Sequence, residues 1–105
     1  MISWTALDPA ENPVLSLDMS DAIAKQGGSA LASATVTVTV ANGADPSPGL
    51  ILPGACSVAN GIVSVQKAAN TGVSGTSYVA TFKGLTAAGK TIVGQVSFAI
   101  QTGGA

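Results

Sequence analysis

The sequence predicts an all-β protein, a single β-sandwich of about seven short strands. Charged residues make up 9% of the 105 residues, whereas typical domains carry about 25%, and Thr, Ser, Gly, Ala and Val replace them. Turn signals recur at roughly the spacing of eight to twelve residues that is typical of sandwiches. With one Trp, one Tyr and two Phe in the chain, the core has to be thin, as between two stacked sheets.

The chain is long enough for one domain, and its composition divides it into three segments. These are an extended N-terminal arm, the sandwich domain and a flexible C-terminal tail, at residues 1–13, 14–101 and 102–105. Within the arm, Asp8 and Glu11 have the spacing of a capping box around one helical turn that Pro13 ends.

Strand signals follow the arm. Thr35 to Val40 alternates Thr and Val, which predicts a strand with valines inward and threonines towards solvent. Asn60-Gly61 predicts a type I′ hairpin turn, and Gly27-Gly28 ends one short helical turn over residues 20–26. The predicted strands are Val14–Met19, Leu31–Val40, Leu50–Leu52, Cys56–Val58, Ile62–Val65, Ser77–Phe82 and Thr91–Ile100.

The last two strands form a hairpin with a connection from Gly84 to Lys90. Alternation predicts that each contributes one face to the core. These two sets are Tyr78, Ala80 and Phe82, and Ile92, Gly94, Val96, Phe98 and Ile100. The position of Tyr78 at the start of its strand resembles a tyrosine corner.

Composition argues against several functions. The net charge of −1 comes from four lysines and five acids, with no basic patch for nucleic acid and no polybasic stretch for a membrane. There is no histidine, so the commonest metal ligand and acid–base catalyst is missing. No signal peptide and no apolar run of about 20 residues is visible.

The mean hydropathy of +0.49 indicates that part of the surface is covered in the working state.

One stretch matches a nucleotide-binding motif. Gly84 to Thr91 fits the phosphate-binding loop G-x-x-x-x-G-K-[ST], which presents backbone N–H groups from the start of a helix. Here the residues after Lys90 read as a strand, and every acid precedes the motif, so none is left to hold the metal. The pattern therefore predicts a hairpin loop.

Other candidate groups give no chemistry. Asp18 and Asp21 lie three residues apart without a calcium-loop pattern, and we expect Asp21 or Ser20 to cap the helical turn. Cys56, the single cysteine, has no histidine to activate it. The lysines are expected to serve solubility alone. We predict no enzyme activity, no metal and no cofactor.

The arm carries the candidates for contact with a partner, namely Ile2, Trp4, Leu7 and Pro9. Trp4 has two alternatives: it docks back on the sandwich, or it fills a pocket on a partner, since tryptophan is enriched at interface hot spots.

Several stretches together resemble the small bacteriophage fiber–tail adaptor family. They are Asp8 to Glu11, Leu15 to Ser20, Ala32 to Val38, Gly75 to Tyr78, Thr86 with Gly89 to Thr91, and Ser97 to Ile100. The resemblance implies an immunoglobulin-like module, present in many symmetric copies, that joins tail fibres or neighbouring subunits to the tail or baseplate. The implied location is the virion, after assembly in the host cytoplasm, and the implied partners are other phage structural proteins.

Two alternatives remain open. The first is a capsid decoration protein with the same fold. The second is a carbohydrate- or receptor-binding module, for which exposed aromatic residues are the expected signature.

Overall fold

The computed structural model describes residues 2–4, 6–25, 27–28, 30–53 and 56–102. It is mostly β-structure, so the predicted all-β class is confirmed. The strands are β1 (Ile2–Ser3), β2 (Val14–Asp18), β3 (Leu31–Asn42), β4 (Ser57–Ala59), β5 (Ile62–Gln66), β6 (Thr76–Thr86) and β7 (Thr91–Ile100). The helix α1 spans Ser20–Lys25, and a 3₁₀ turn spans Pro48–Leu50.

The strands form two sheets that enclose the core. One sheet has the order β1-β7-β6-β3 and the other the order β2-β5-β4. Strand β1 pairs parallel with β7, and the remaining pairs are antiparallel. Six described strands have three residues or more, and the two-residue β1 extends the edge of the first sheet.

Alternation places the core side chains as predicted. In β3, Val38 is buried and Val36 and Val40 are half-buried, whereas the threonines between them are exposed. The inward faces of β6 and β7 are also confirmed. The buried apolar side chains of these two strands are Tyr78, Ala80, Phe82, Ile92, Val96, Phe98 and Ile100.

Local turn chemistry is confirmed at one hairpin. Asn60 has φ 52° and Gly61 has φ 79°, and a type I′ turn requires positive φ at both positions. Helix α1 lies within the predicted helical residues 20–26, although Gln26 is outside the described residues. No helix in the described part of the chain is long and apolar enough to cross a membrane.

One predicted strand is absent, and one predicted connection is too long. Leu50 to Leu52 is not a strand, because Pro48 starts a 3₁₀ turn in which the Ile51 N–H donates to the Pro48 carbonyl. The apolar residues Ile51 and Leu52 instead anchor this loop in the core. Strand β6 continues to Thr86, so the connection to β7 is shorter than the predicted one from Gly84 to Lys90.

Candidate interaction surface

Trp4 packs on the chain's own sandwich. Its ring centroid lies 5.9 Å from that of Phe82 and 5.5 Å from that of Phe98, both of which point inward. Its indole Nε1–H donates to the carbonyl of Ser16 in β2 at 3.0 Å. The half-buried ring therefore joins the two sheets at one side of the sandwich.

The other arm candidates also lie along the sandwich. Ile2 pairs through its backbone with Val96, and its side chain is outside the described part of the structure. Leu7 is buried and its N–H donates to the Ala99 carbonyl at 3.0 Å. Pro9 is half-buried. Trp4 and the described residues around it thus dock back on the chain's own sandwich, which was the first of the two alternatives. Contact of these residues with a partner stays a prediction.

The segment from Asp8 to Glu11 is a hydrogen-bonded turn and not a helical one, and it has one of the two side-chain bonds of the predicted capping box, the one from the Asp8 N–H to Glu11. Asp8 Oδ1 accepts from the Ala10 N–H at 2.8 Å, and Glu11 Oε1 accepts from the Asp8 N–H at 2.7 Å. The Glu11 N–H also donates to the Asp8 carbonyl at 3.0 Å. The turn therefore presents its remaining carbonyl oxygens in a fixed arrangement.

Lys67 binds this turn. Its side chain is fully buried, and its Nζ donates to the carbonyls of Pro9 and Glu11 at 2.9 Å and of Ala68 at 3.0 Å. The hydroxyl of Thr71 lies at 3.4 Å. Burial lowers the pKa of Lys67, while Glu11 acts in the opposite direction. We call Lys67 with its carbonyl partners the lysine clasp.

The lysine clasp corrects the expectation that the lysines serve solubility alone. The sequence contained a signal for it, because period-two alternation from the buried Val63 and Val65 places position 67 on the inward face. A buried cation has to find acceptors, and here backbone carbonyls provide them.

Tyr78 forms the predicted corner. Its ring is buried and stacks on Phe98 at a centroid distance of 5.3 Å. Its hydroxyl accepts from the Val73 N–H at 2.9 Å and donates to Asp45 Oδ2 at 2.7 Å. Burial raises the pKa of Tyr78, and Asp45 adds to the increase. One hydroxyl thus ties together two loops at the same end of the sandwich.

The residues that matched the phosphate-binding loop form a β-hairpin turn. The Thr86 N–H donates to the Lys90 carbonyl at 2.9 Å, and Thr86 Oγ1 accepts from the Lys90 N–H at 3.0 Å. Gly89 has φ +81°, which glycine adopts without strain. Strand β7 follows directly, so the helix that a phosphate-binding loop requires is replaced by a strand, as predicted.

The carboxylates and the thiol have structural positions. Asp18 Oδ1 accepts from the Ser20 N–H at 2.9 Å and from Ser20 Oγ at 2.6 Å, so Asp18, and not Asp21 or Ser20, supplies the oxygen at the start of α1. These bonds lower the pKa of Asp18. Burial raises the pKa of the half-buried Cys56 thiol. Among the described residues, no three His, Cys, Asp or Glu side chains are grouped to bind a metal.

The outer face of the four-stranded sheet carries mostly uncharged side chains among the described residues. Its central row consists of the paired residues Thr37, Thr81 and Gln95. Leu85 is 46% exposed and Val93 is 53% exposed on the same face, where Lys83 is the one charged residue among the described side chains. Alternation in the sequence already places these residues on the outward face of β6 and β7. The contact site was instead predicted on the N-terminal arm, because its apolar residues had no visible partner.

Comparisons with protein-family models, with curated proteins and with solved structures found no match. The structure itself defines an all-β protein of two sheets. Its function has to be argued from its surfaces.

Proposed function

We propose that this chain is an immunoglobulin-like structural protein of a tailed-bacteriophage virion, which joins tail fibres or neighbouring subunits to the tail or baseplate by protein–protein contacts. The phage assignment rests on the resemblance of the sequence to the fiber–tail adaptor family. The mode of action rests on one observation of the structure, the neutral and partly apolar outer face of β3, β6 and β7.

The order of the strands supports the immunoglobulin-like part of the proposal. If β2 to β7 are equated with strands B to G, the sheets become B-E-D and C-F-G. This order supports an immunoglobulin-like arrangement. Strand β1, which pairs parallel with β7, stands outside this equation. Tyr78, at the start of the strand equated with F, accepts a hydrogen bond from the backbone of Val73, as in a tyrosine corner.

The composition of the outer face supports a role in protein contact. The centre of a protein–protein interface is depleted of charged residues, because each buried charge has to lose its hydration. On this face the exposed Leu85 and Val93 lie beside uncharged polar residues, and only Lys83 carries a charge. Threonine and valine side chains also lose little conformational freedom when a partner covers them.

The positions of the aromatic rings argue against the carbohydrate-binding alternative. Tyr78, Phe82 and Phe98 are buried, and Trp4 is half-buried against two of them. These are all four aromatic residues of the chain. A sugar would therefore find only the partly exposed ring of Trp4 on which to stack.

The experiment is cryo-electron microscopy of purified phage particles that contain either the native chain or a variant. We expect density for the chain between the tail and a fibre or around a tail ring, with the outer face of β6 and β7 against a neighbour. Thr81→Glu, in the centre of that face, should abolish incorporation into particles. The matched control Ser16→Glu, on the outer face of the other sheet, should be incorporated like the native chain.

Three results would contradict parts of the proposal. Density on the capsid shell would replace the tail role with the decoration role. Absence from purified particles would overturn the phage assignment. Normal incorporation of Thr81→Glu would show that another surface makes the contact.

A further inference from the structure

The edge strands of the two sheets differ in how they are protected against pairing with other chains. Strand β1 has two residues and β4 has three, and short edge strands offer little to pair with. Strand β2 has five residues, and Trp4 already occupies the carbonyl of Ser16 at its edge. Strand β3, the opposite edge of the four-stranded sheet, has twelve residues with no proline and no charge.

Hydrogen bonding within the sheet determines which groups of β3 point outward. The carbonyls of Ser97 and Ala99 in β7 accept hydrogen bonds from the N-terminal segment. Because the backbone groups of successive residues point to opposite edges of a strand, the even-numbered residues of β7 bond to β6. The same alternation makes the odd-numbered residues of β6 bond to β3, where Thr81 is paired with Thr37. The N–H and C=O groups of Val36 and Val38 therefore point away from β6, to the edge where no strand of the described chain pairs with β3, although β4 of the other sheet also approaches β3.

We propose that β3 pairs antiparallel with β3 of a second copy of this chain, about a two-fold axis at Thr37. The two four-stranded sheets then form one continuous sheet. This inference deepens the proposed function and rests on it, since it names a second copy as one of the neighbouring subunits that the chain contacts.

Backbone geometry favours a second copy as the occupant. In β3, only the even-numbered residues point their N–H and C=O groups to the free edge. A symmetric pair of β3 strands therefore has to place the even-numbered residues of one copy opposite the even-numbered residues of the other. With the axis at Thr37, Val36 of one copy lies opposite Val38 of the other. Valines then meet valines on the inner side and threonines meet threonines on the outer side, as cross-strand pairing prefers.

The partial burial of β3 and its lack of charge also favour a second copy as the partner. Ala34, Val36 and Val40 face inward but are only half-buried in the single chain, and a second copy would cover them further. The chain has a net charge of −1, and β3 itself has none, so little repulsion opposes the approach of two copies.

The first test is a cysteine trap in a Cys56→Ser background. Thr37→Cys places two thiols across the proposed axis at a non-hydrogen-bonded pair, where Cβ atoms are about 4.5–5.5 Å apart, close to disulfide range. We expect nearly complete cross-linking under mild oxidation. The matched control Thr81→Cys lies on the same face one strand further in, and it should stay reduced.

The second test is the mass of the purified chain in solution by light scattering. We expect twice the 10.1 kDa of one chain. Val36→Pro removes an outward N–H that β6 does not use and should restore the single-chain mass, with circular dichroism confirming the fold. Val36→Ala keeps the N–H and should remain a dimer, which separates loss of the hydrogen bond from loss of the side chain.

A single-chain mass at all concentrations up to about 1 mM, where binding is worth only ~4 kcal/mol, would overturn the inference. A dimer that persists in Val36→Pro while Thr37→Cys stays reduced would also overturn it, because the dimer would then use another surface. Should Val36→Pro unfold, the cysteine trap decides alone. These outcomes are independent of whether the chain is found in phage particles.

Discussion

Replacement of Lys67 by methionine tests whether the lysine clasp holds the N-terminal segment on the sandwich. Methionine fills a similar volume but donates no hydrogen bond. The carbonyl of Pro9 would keep the Thr71 N–H as a donor, and the carbonyl of Ala68 would keep Thr71 Oγ1. The carbonyl of Glu11 would lose the donor that it has in the native structure.

The expected loss follows from these contacts. Hydrogen bonds to charged groups contribute about 1.5–3 kcal/mol each, and leaving a buried acceptor unpaired costs about 1–3 kcal/mol. Part of this is offset, because methionine is easier to bury than an ammonium group. Two of the carbonyls also keep another donor. We therefore expect Lys67→Met to lower the free energy of unfolding by about 2 kcal/mol, which corresponds to ~8–16 °C in Tm for a domain of this size.

The assay is urea unfolding followed by fluorescence of Trp4, the single tryptophan, which lies on the segment that the clasp holds. Hydrogen exchange supplies a local measurement, since the amides of residues 10–12 and 67–71 should exchange faster in the variant. The matched control is Lys90→Met at an exposed lysine, where we expect a change within about 0.5 kcal/mol. If Lys67→Met were as stable as the native protein, the carbonyls would not need the ammonium group and the reasoning would be refuted.

Two further predictions concern the aromatic contacts. Trp4→Phe removes the donor to Ser16 but keeps a ring, so it should lower the free energy of unfolding by about 1 kcal/mol. Trp4→Ala also removes the ring and should lower it by about 2–3 kcal/mol. Both are measured by urea unfolding followed by circular dichroism, and equal losses would contradict a separate role for the ring. Tyr78→Phe leaves the Val73 N–H and Asp45 without the hydroxyl and should cost about 1–3 kcal/mol at neutral pH. Because burial raises the pKa of Tyr78 above its unfolded value of about 10, the stability from its protonated form is present below that pH and is lost as the pH rises through the folded pKa. The difference between the native protein and Tyr78→Phe should therefore shrink in alkaline solution, and a tyrosinate absorbance titration that gives an ordinary pKa would contradict this.

Local patterns predicted the parts of the fold that local physics determines. The alternation from Thr35 to Val40 fixed both the strand and its inward face, because side chains in a strand alternate whatever the rest of the chain does. Asn60-Gly61 was sufficient for the hairpin, since few residue pairs accept positive φ at both positions.

Residues that depend on distant partners were not predictable in this way. The carbonyls that bind Lys67 come from Pro9 and Glu11, which precede it by 58 and 56 residues. Alternation along the chain places position 67 on the inward face, but it does not show which carbonyls would bind a lysine there. Ile51 and Leu52 were assigned to a strand for the same reason, because an apolar pair does not show whether it belongs to a strand or anchors a loop.

The location of the candidate contact surface depends on where the apolar residues are used. The sequence placed it on the arm because Trp4 and Leu7 had no visible partner within the chain. In the structure both lie against the sandwich, so the apolar surface still open to a partner includes Leu85 and Val93 on the outer face. Deletion of residues 1–13 would therefore remove part of the fold along with any contact. A substitution such as Thr81→Glu, which leaves the packing of Trp4 in place, is the sharper way to separate attachment from folding.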